Sequence, residues 1–449
     1  MTPRDKGRLT FANLILAVAV TTMMLTSGLI LISSDSSDAA SSGSCGPSLN
    51  WSLNSSGDLT ITGSGEMNYM YGVTKWDVDK VKTVSLPDGL TNIGGCAFED
   101  CVNLTSVIIP DSVKTIDMSA FYNCTSLSAV TFGNSLERIS YRAFCCCYSL
   151  TSLTFPDSLK YIDERAFQMC KSLATVTLND SLKTMGEACF DYCKLVSVDI
   201  PDSVTSISDE PFYRCTSLTA VNVGAGNTSY SSVDGVLYDK EKTKLIQYPS
   251  GKTDETYTVP DTVTSIGKLA ISICSSLKSI VVGEGNTAFS SENGALLNKT
   301  GDTLVCVPSG IVSYTIPAQI ATIKESAFTG NTLKTIEFPA ECVVNLEFAA
   351  IDDCEGLEKI IIKEGAKLTF KECSIISFVD GIQTIHVDAP SGYKIPKSAY
   401  DECIKMVYDN APSGLGLGGD GNTTMYLAIG GIVAVLVIVG AVIFLRKRH

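Results

Sequence analysis

Ala97 to Ile116 reads AFEDCVNLTSVIIPDSVKTI, and much of the chain repeats it. Phe98 returns as Phe121, Phe144, Phe167 and Phe190, each 23 residues on. Cys101 returns at the same step as Cys124, Cys147, Cys170 and Cys193, and Leu104 as Leu127, Leu150 and Leu173. A fixed period in the twenties is the signature of a solenoid. One such unit cannot bury a core alone. Stacked units can, because each covers its neighbour's apolar side.

Within a unit, L-x-x-[VIL]-x-[VILF] predicts a short strand with one face buried, as at Leu104, Val107, Ile109 and at Leu150, Leu153, Phe155. Pro110, Pro156, Pro201 and Pro339 stop it, since proline cannot continue a ladder. A second apolar pair follows (Val113 and Ile116, Leu136 and Ile139) and predicts a second buried side. The Ala-Phe pair then turns the corner.

The motif A-F-x-x-C-x-x-L-x-x-[VI]-x-[IF]-P-D-S-[VL]-x-x-I is near complete at 97–116, 143–162 and 188–207. It resembles the BspA-like leucine-rich repeats, also called leucine-rich repeat 5, over roughly residues 45 to 390. Cys45-Gly46, Trp51 and the stretch 57–67 are similar to that family's N-terminal segment. The resemblance and the period together predict a leucine-rich-repeat solenoid. This is a β-rich right-handed coil of ~23-residue repeats with short strands, an N-terminal β cap and a C-terminal single transmembrane helix.

The predicted organisation runs in order. Residues 1–40 form a signal peptide or N-terminal anchor, with a basic start, an apolar run from Phe11 to Ile32 and small residues at Ser37, Ala39 and Ala40. Residues 45–80 form a β cap, with Trp51 and Trp76 as core plugs. Regular repeats fill 81–223. Irregular repeats fill 224–390, interrupted by two inserted hairpins at 224–252 and 283–310. The charged turn in GVLYDKEKTKLIQYP suggests that the hairpins protrude. Roughly a dozen rungs are expected, a rod of ~60 Å. A closing cap occupies 391–412 and a Gly-rich stalk 413–424. Met425 to Leu445 is apolar and uncharged, long enough to span a bilayer, and 446–449 is a basic cytoplasmic tail. This layout places a single-pass protein in the cell membrane with its ectodomain outside.

The chain carries −14 although both ends are basic, so the stretch between is strongly acidic. That argues against a nucleic-acid partner. Seventeen cysteines suit disulfides in an exported protein. Those at 101, 124, 147, 170, 193, 215, 274 and 354, however, occupy a repeat position that needs a small buried residue, and predict a ladder of buried thiols. No metal site is expected: Cys145, Cys146 and Cys147 are consecutive, with no histidine nearby. The only histidines are His386 and His449, so no nucleophile pair can be built along the array, and neither catalysis nor a cofactor is expected.

Binding is the remaining class. The outward strand position reads Ile108, Thr131, Thr154, Thr177, Asp199, Asn222. Such a strip of short side chains either docks an extended partner or keeps a β surface soluble. In the hairpins, Tyr230, Tyr238 and Tyr248 either offer contact area or pack the hairpin onto the array. The resemblance implies adhesion, so the expected partner is an extracellular protein or glycan. The alternative is a cell-envelope spacer without a dedicated ligand. Asn50, Asn54, Asn103, Asn123, Asn179, Asn227, Asn298 and Asn422 head N-x-[ST] sequons, some by chance.

Overall fold

The computed structural model describes residues 39–72, 76–330, 332–377 and 382–409. The expected signal segment, apart from Ala39 and Ala40, and the apolar run at 425–445 lie outside them. Residues 39–409 belong to one compact unit of stacked coils, about 15 turns with almost no helix. Among the described residues the helical segments are short 3₁₀ turns, Val78–Lys80 and Lys397–Ala399.

A regular coil follows directly from the motif. Ser106–Ile108 pairs in parallel with Ala129–Thr131, one coil on. Val107 points inward and is buried, while Ser106 and Ile108 face out. After Pro110 the chain turns, and Thr115–Ile116 joins a second parallel sheet. That sheet stacks Asn92–Ile93, Thr115–Ile116, Arg138–Ile139, Tyr161–Ile162, Thr184–Met185 and Ser206–Ile207. The serine of P-D-S has a defined task. Ser112, Ser158 and Ser203 donate to Leu90, Leu136 and Leu182 carbonyls one coil back, at 2.6–2.7 Å.

At the corner a third ladder forms. Phe98, Phe121 and Phe144 N–H groups donate to the Ala120, Ala143 and Ala166 carbonyls at 2.7–2.8 Å. This holds the phenylalanine rings in a stack. Centroid spacings are 5.3 Å from Trp76 to Phe98, then 5.0, 5.0, 5.3, 5.4 and 6.2 Å through Phe121, Phe144, Phe167, Phe190 and Phe212. Trp76 is therefore the first ring of the column, and Trp51 packs edge-on against it at 5.8 Å.

The cysteine ladder is buried, as its repeat position requires. Cys124, Cys147, Cys170, Cys193 and Cys215 each donate to the carbonyl of the phenylalanine one coil back, at 3.1–3.3 Å. A phenylalanine carbonyl at that corner thus gains a donor that a buried alanine could not supply.

The start of the array is an antiparallel meander, Ala39–Gly46, Leu49–Asn54 and Asp58–Gly65. Its last strand pairs in parallel with Thr83–Ser85, the first rung.

The hairpins differ from expectation in one respect: they do not protrude. Tyr230–Val233 and Val236–Asp239 pair antiparallel. The chain then turns back through Lys244–Gln247, which pairs in parallel with Ser265–Ile266 of the next coil. Lys244–Gln247 therefore occupies the second-sheet position of an ordinary coil. Leu237 and Leu245 are fully buried. The second interruption repeats the arrangement with Phe289–Glu292, Ala295–Asn298 and Thr303–Cys306, the last pairing Thr322–Ile323. Each interruption is thus one enlarged coil, which is part of why there are more turns than the dozen expected. The sequence showed a charged turn between two strands. It did not show that the second strand completes a coil.

Candidate functional site

The parallel register assembles the predicted strip. Ile108 stands opposite Thr131, Thr154 opposite Thr177, and Asp199 opposite Asn222. All six are exposed. Asn222 Nδ2 donates to Asp199 Oδ1 at 2.8 Å, so the last pair is tied together. The flanking Ser106, Ala129, Ser152, Thr175 and Ser197 are exposed as well. The backbone beneath is held by ladder bonds, so the short side chains lose little freedom when a partner covers them. The strip stops at Asn222. Beyond it Val221 N donates to Gly235 O at 2.8 Å and Val223 N to Ser232 Oγ at 3.0 Å, so the first hairpin lies on the ladder's edge.

The hairpin tyrosines are placed differently. Tyr238 is 2% exposed and Tyr248 1%. The Tyr238 and Tyr257 hydroxyls hydrogen-bond to each other at 2.9 Å, and the Tyr248 and Tyr257 rings lie 4.9 Å apart. Tyr230 is half-buried and its hydroxyl accepts the Ile207 N–H at 2.7 Å. These rings pack the enlarged coil into the array, and Tyr238 and Tyr248 have no surface to offer a partner. Burial pushes all three phenols up.

A second polar region was not expected. Asp191, Tyr192, Tyr213 and Arg214 lie on neighbouring corner loops, and Arg214 forms an ion pair with Asp353, far along the chain. The Arg214 guanidinium stacks 4.5 Å from the Tyr192 ring centroid and 5.5 Å from that of Tyr213. The available signal was positional: Arg214 and Asp353 both immediately precede a ladder cysteine, Cys215 and Cys354.

Asp191 is 4% exposed, and burial pushes its carboxyl up to about 7. The Gln168 amide, donating at 2.8 Å, and the Arg214 charge act against this. Burial likewise pushes Asp352 up to about 6, opposed by Arg214 and Lys268. Both groups hold a proton more tightly folded than unfolded, where the usual value is 3.8. Their contribution is therefore complete below about pH 4 and is lost as pH rises through 6 and 7. The protein should melt at a higher temperature at pH 5 than at pH 8, and Asp191→Asn should flatten that slope. Thermal melts across the range check this; equal slopes for the two proteins contradict it.

Comparison with known proteins agrees with the coil geometry. A family model described as "BspA type Leucine rich repeat region (6 copies)" matches residues 77–170, 137–253, 250–294 and 308–415. A leucine-rich cell surface protein of Faecalibacterium prausnitzii has a similar solved structure. It is 25% identical with a TM-score of 0.52, over 84% of this chain and 97% of that one. The pneumococcal vaccine antigen PcpA is 23% identical, with a TM-score of 0.48 over 83% of this chain and 94% of that one. A leucine-rich repeat protein of Eubacterium ventriosum is 22% identical, with a TM-score of 0.46 over 75% of this chain and 80% of that one. No curated protein matches the chain in sequence.

Proposed function

Because the chain belongs to the BspA-type leucine-rich-repeat family, we propose that it is a cell-surface binding protein, an adhesin for an extracellular protein or glycan. The observation that carries this reading is the strip from Ile108 to Asn222. It is an exposed row of short, mostly polar side chains carried on three two-stranded parallel ladders, in register within each pair. A face of that kind suits docking of an extended partner and gives no reacting group a partner, so the reading is of a non-enzymatic scaffold. The cell-surface placement is supported by the family and by the F. prausnitzii relative, itself described as a cell surface protein.

The membrane anchor of this proposal is the apolar run 425–445, with the basic tail Arg446 to Arg448 on the cytoplasmic side. Among the described residues no helix is long and apolar enough to cross a membrane. The boundaries set out above for stalk, caps and repeats belong to the same proposal.

The test is a binding screen. Full-length protein in detergent micelles goes over an array of matrix proteins, cell-surface proteins and glycans. A saturable hit is expected. A folded protein with no hit above background would overturn adhesion and leave the envelope spacer.

A further inference from the structure

The residues just before the ladder cysteine position form a column of left-handed backbone: Tyr192, Arg214, Ile273, Gly330 and Asp353, with φ of 58, 57, 58, 63 and 54°. In the regular repeats this column is bonded coil to coil, ending with Tyr192 N to Tyr213 O at 2.9 Å, and it resumes with Gly330 N to Asp352 O at 3.1 Å. Between these points lie the two enlarged coils, which cut the corner short. Gly251 N donates to Leu218 O and Gly310 N to Leu277 O, both at 2.8 Å. A Cβ on Gly251 would stand 2.6 Å from the Ser217 carbonyl carbon, and one on Gly310 2.5 Å from Ser275 O. These coils therefore lie tight against the coil before and form no corner loop of their own. The full loops on either side come together. A Cβ on Gly330 would stand 2.3 Å from Ile273 Cγ1, and Arg214 reaches across to Asp353.

The closing loops border an open cavity of about 700 Å³, a size suited to a small ligand. On a chain of charge −14, its wall carries three cations (Lys171, Lys194, Arg214) against two carboxylates (Asp353, Glu355). Arg214 and Asp353 neutralise each other. Lys171 lies over the Tyr148 ring, 5.2 Å from its centroid, and both lysines are exposed. Asp353 is 5% exposed, and its Oδ1 has no hydrogen-bond partner; nor has Arg214 Nε. A buried carboxylate oxygen in the cavity wall without a donor costs free energy that a ligand hydroxyl would recover. Thr216 and Thr332 add hydroxyls to the same wall.

We infer that this cavity is a binding site for a carboxylated sugar, a sialic acid or a hexuronate at the end of a glycan. Lys171 and Lys194 take the carboxylate. Asp353 Oδ1 and Glu355 accept hydrogen bonds from ring hydroxyls, and Thr216 and Thr332 complete the hydroxyl contacts. The mix of cations with bare acceptors fits a sugar acid better than an acidic peptide, which brings carboxylates but few hydroxyl donors. The inference rests on the adhesion reading for its biological setting, yet it concerns a different face from the strip.

The experiment is titration calorimetry on the full-length protein in detergent micelles. The probes are 3′-sialyllactose, trigalacturonate, neutral lactose and an acidic hexapeptide. At least one acidic sugar should bind, with lactose and the peptide at least about tenfold weaker, the worth of one good charge contact. Lys171→Ala with Lys194→Ala should abolish the preference without changing the melting temperature, and Lys171→Arg with Lys194→Arg should keep it. Thr154→Arg, on the strip, should leave sugar binding unchanged. No binding of either acidic sugar, equal binding of lactose, preference for the peptide, or binding indifferent to the paired lysine variants overturns the inference. None of these outcomes touches the array screen, so the adhesion reading stands or falls separately.

Discussion

Phe144→Ala should destabilise the array by about 4 kcal/mol, the middle of the range for removing a buried aromatic ring. Phe144 is fully buried, with the Phe121 and Phe167 rings parallel to it at 5.0 and 5.3 Å and Phe132 edge-on at 6.0 Å. The cavity left behind cannot collapse. The corner backbone is held coil to coil by the Phe121 N to Ala143 O and Phe144 N to Ala166 O bonds, at 2.7 and 2.8 Å. Since each coil touches only its neighbours, the loss falls on both interfaces of that coil. Phe144→Leu keeps most of the volume and should cost about 1–2 kcal/mol. Urea unfolding followed by circular dichroism reads both. A cost under about 1 kcal/mol for the alanine variant would mean that the ring column does not hold the coils together.

Asn227→Ala should be almost as damaging, at about 3–4 kcal/mol, through polar groups instead of volume. Asn227 is fully buried at the entry to the first enlarged coil. Its Nδ2 donates to the Pro201 and Val204 carbonyls at 2.9 and 3.0 Å. Its Oδ1 accepts the Ser229 and Tyr230 N–H groups, both at 2.8 Å. One side chain thus satisfies four backbone groups where the ladder is interrupted. Asn286 makes the same four bonds at the second enlarged coil. Alanine takes this partner from the Val204 carbonyl and from the Ser229 and Tyr230 N–H groups in a site that admits no replacement, while the Pro201 carbonyl keeps the Val204 N–H. Asn227→Asp, which keeps the acceptor and loses both donors, should also destabilise. The same geometry settles a sequon. Asn227 heads N-T-S, but a glycan on Nδ2 is incompatible with both of its bonds, so peptide mass spectrometry should find it unmodified. Full occupancy at Asn227 in folded protein would contradict this.

The regular coils were legible because one buried face repeats at one period. Phe, Cys and Leu at fixed spacing mark the core, and proline and P-D-S mark the turns. The strip was legible for the same reason: in a parallel ladder without slippage, equal repeat positions must stand opposite one another. Other features carry no such mark. Asp100, Asn123, Cys146, Met169, Tyr192 and Arg214 all take positive φ, between 57 and 64°, with no glycine to announce it. Left-handed backbone at these corners is imposed by the stacked coils, not by local preference. The enlarged coils were misjudged because the turn at Asp239 to Thr243 looks like a protrusion. The deciding fact, that Lys244–Gln247 pairs with Ser265–Ile266, is a contact between coils. The hairpin tyrosines, which the sequence left as either contact area or packing, take the second role at Tyr238 and Tyr248, because the enlarged coil buries them. The Arg214–Asp353 contact depends on two coils bypassing the corner between them, which no single repeat records.

The central claim, that the outward strand strip holds the partner, is tested most directly by placing one long side chain at its centre. Thr154→Arg and a control, Thr258→Arg on the exposed strand Thr256–Val259 beyond the first enlarged coil, should both melt within a few degrees of the parent protein, as surface changes generally do. Affinity is then measured for a partner that the array screen returns other than an acidic glycan, which the corner cavity would take. The account predicts at least a tenfold loss for Thr154→Arg and none for Thr258→Arg. Unchanged affinity for Thr154→Arg would show that the strip is only a solvated β surface and that binding lies elsewhere on the molecule.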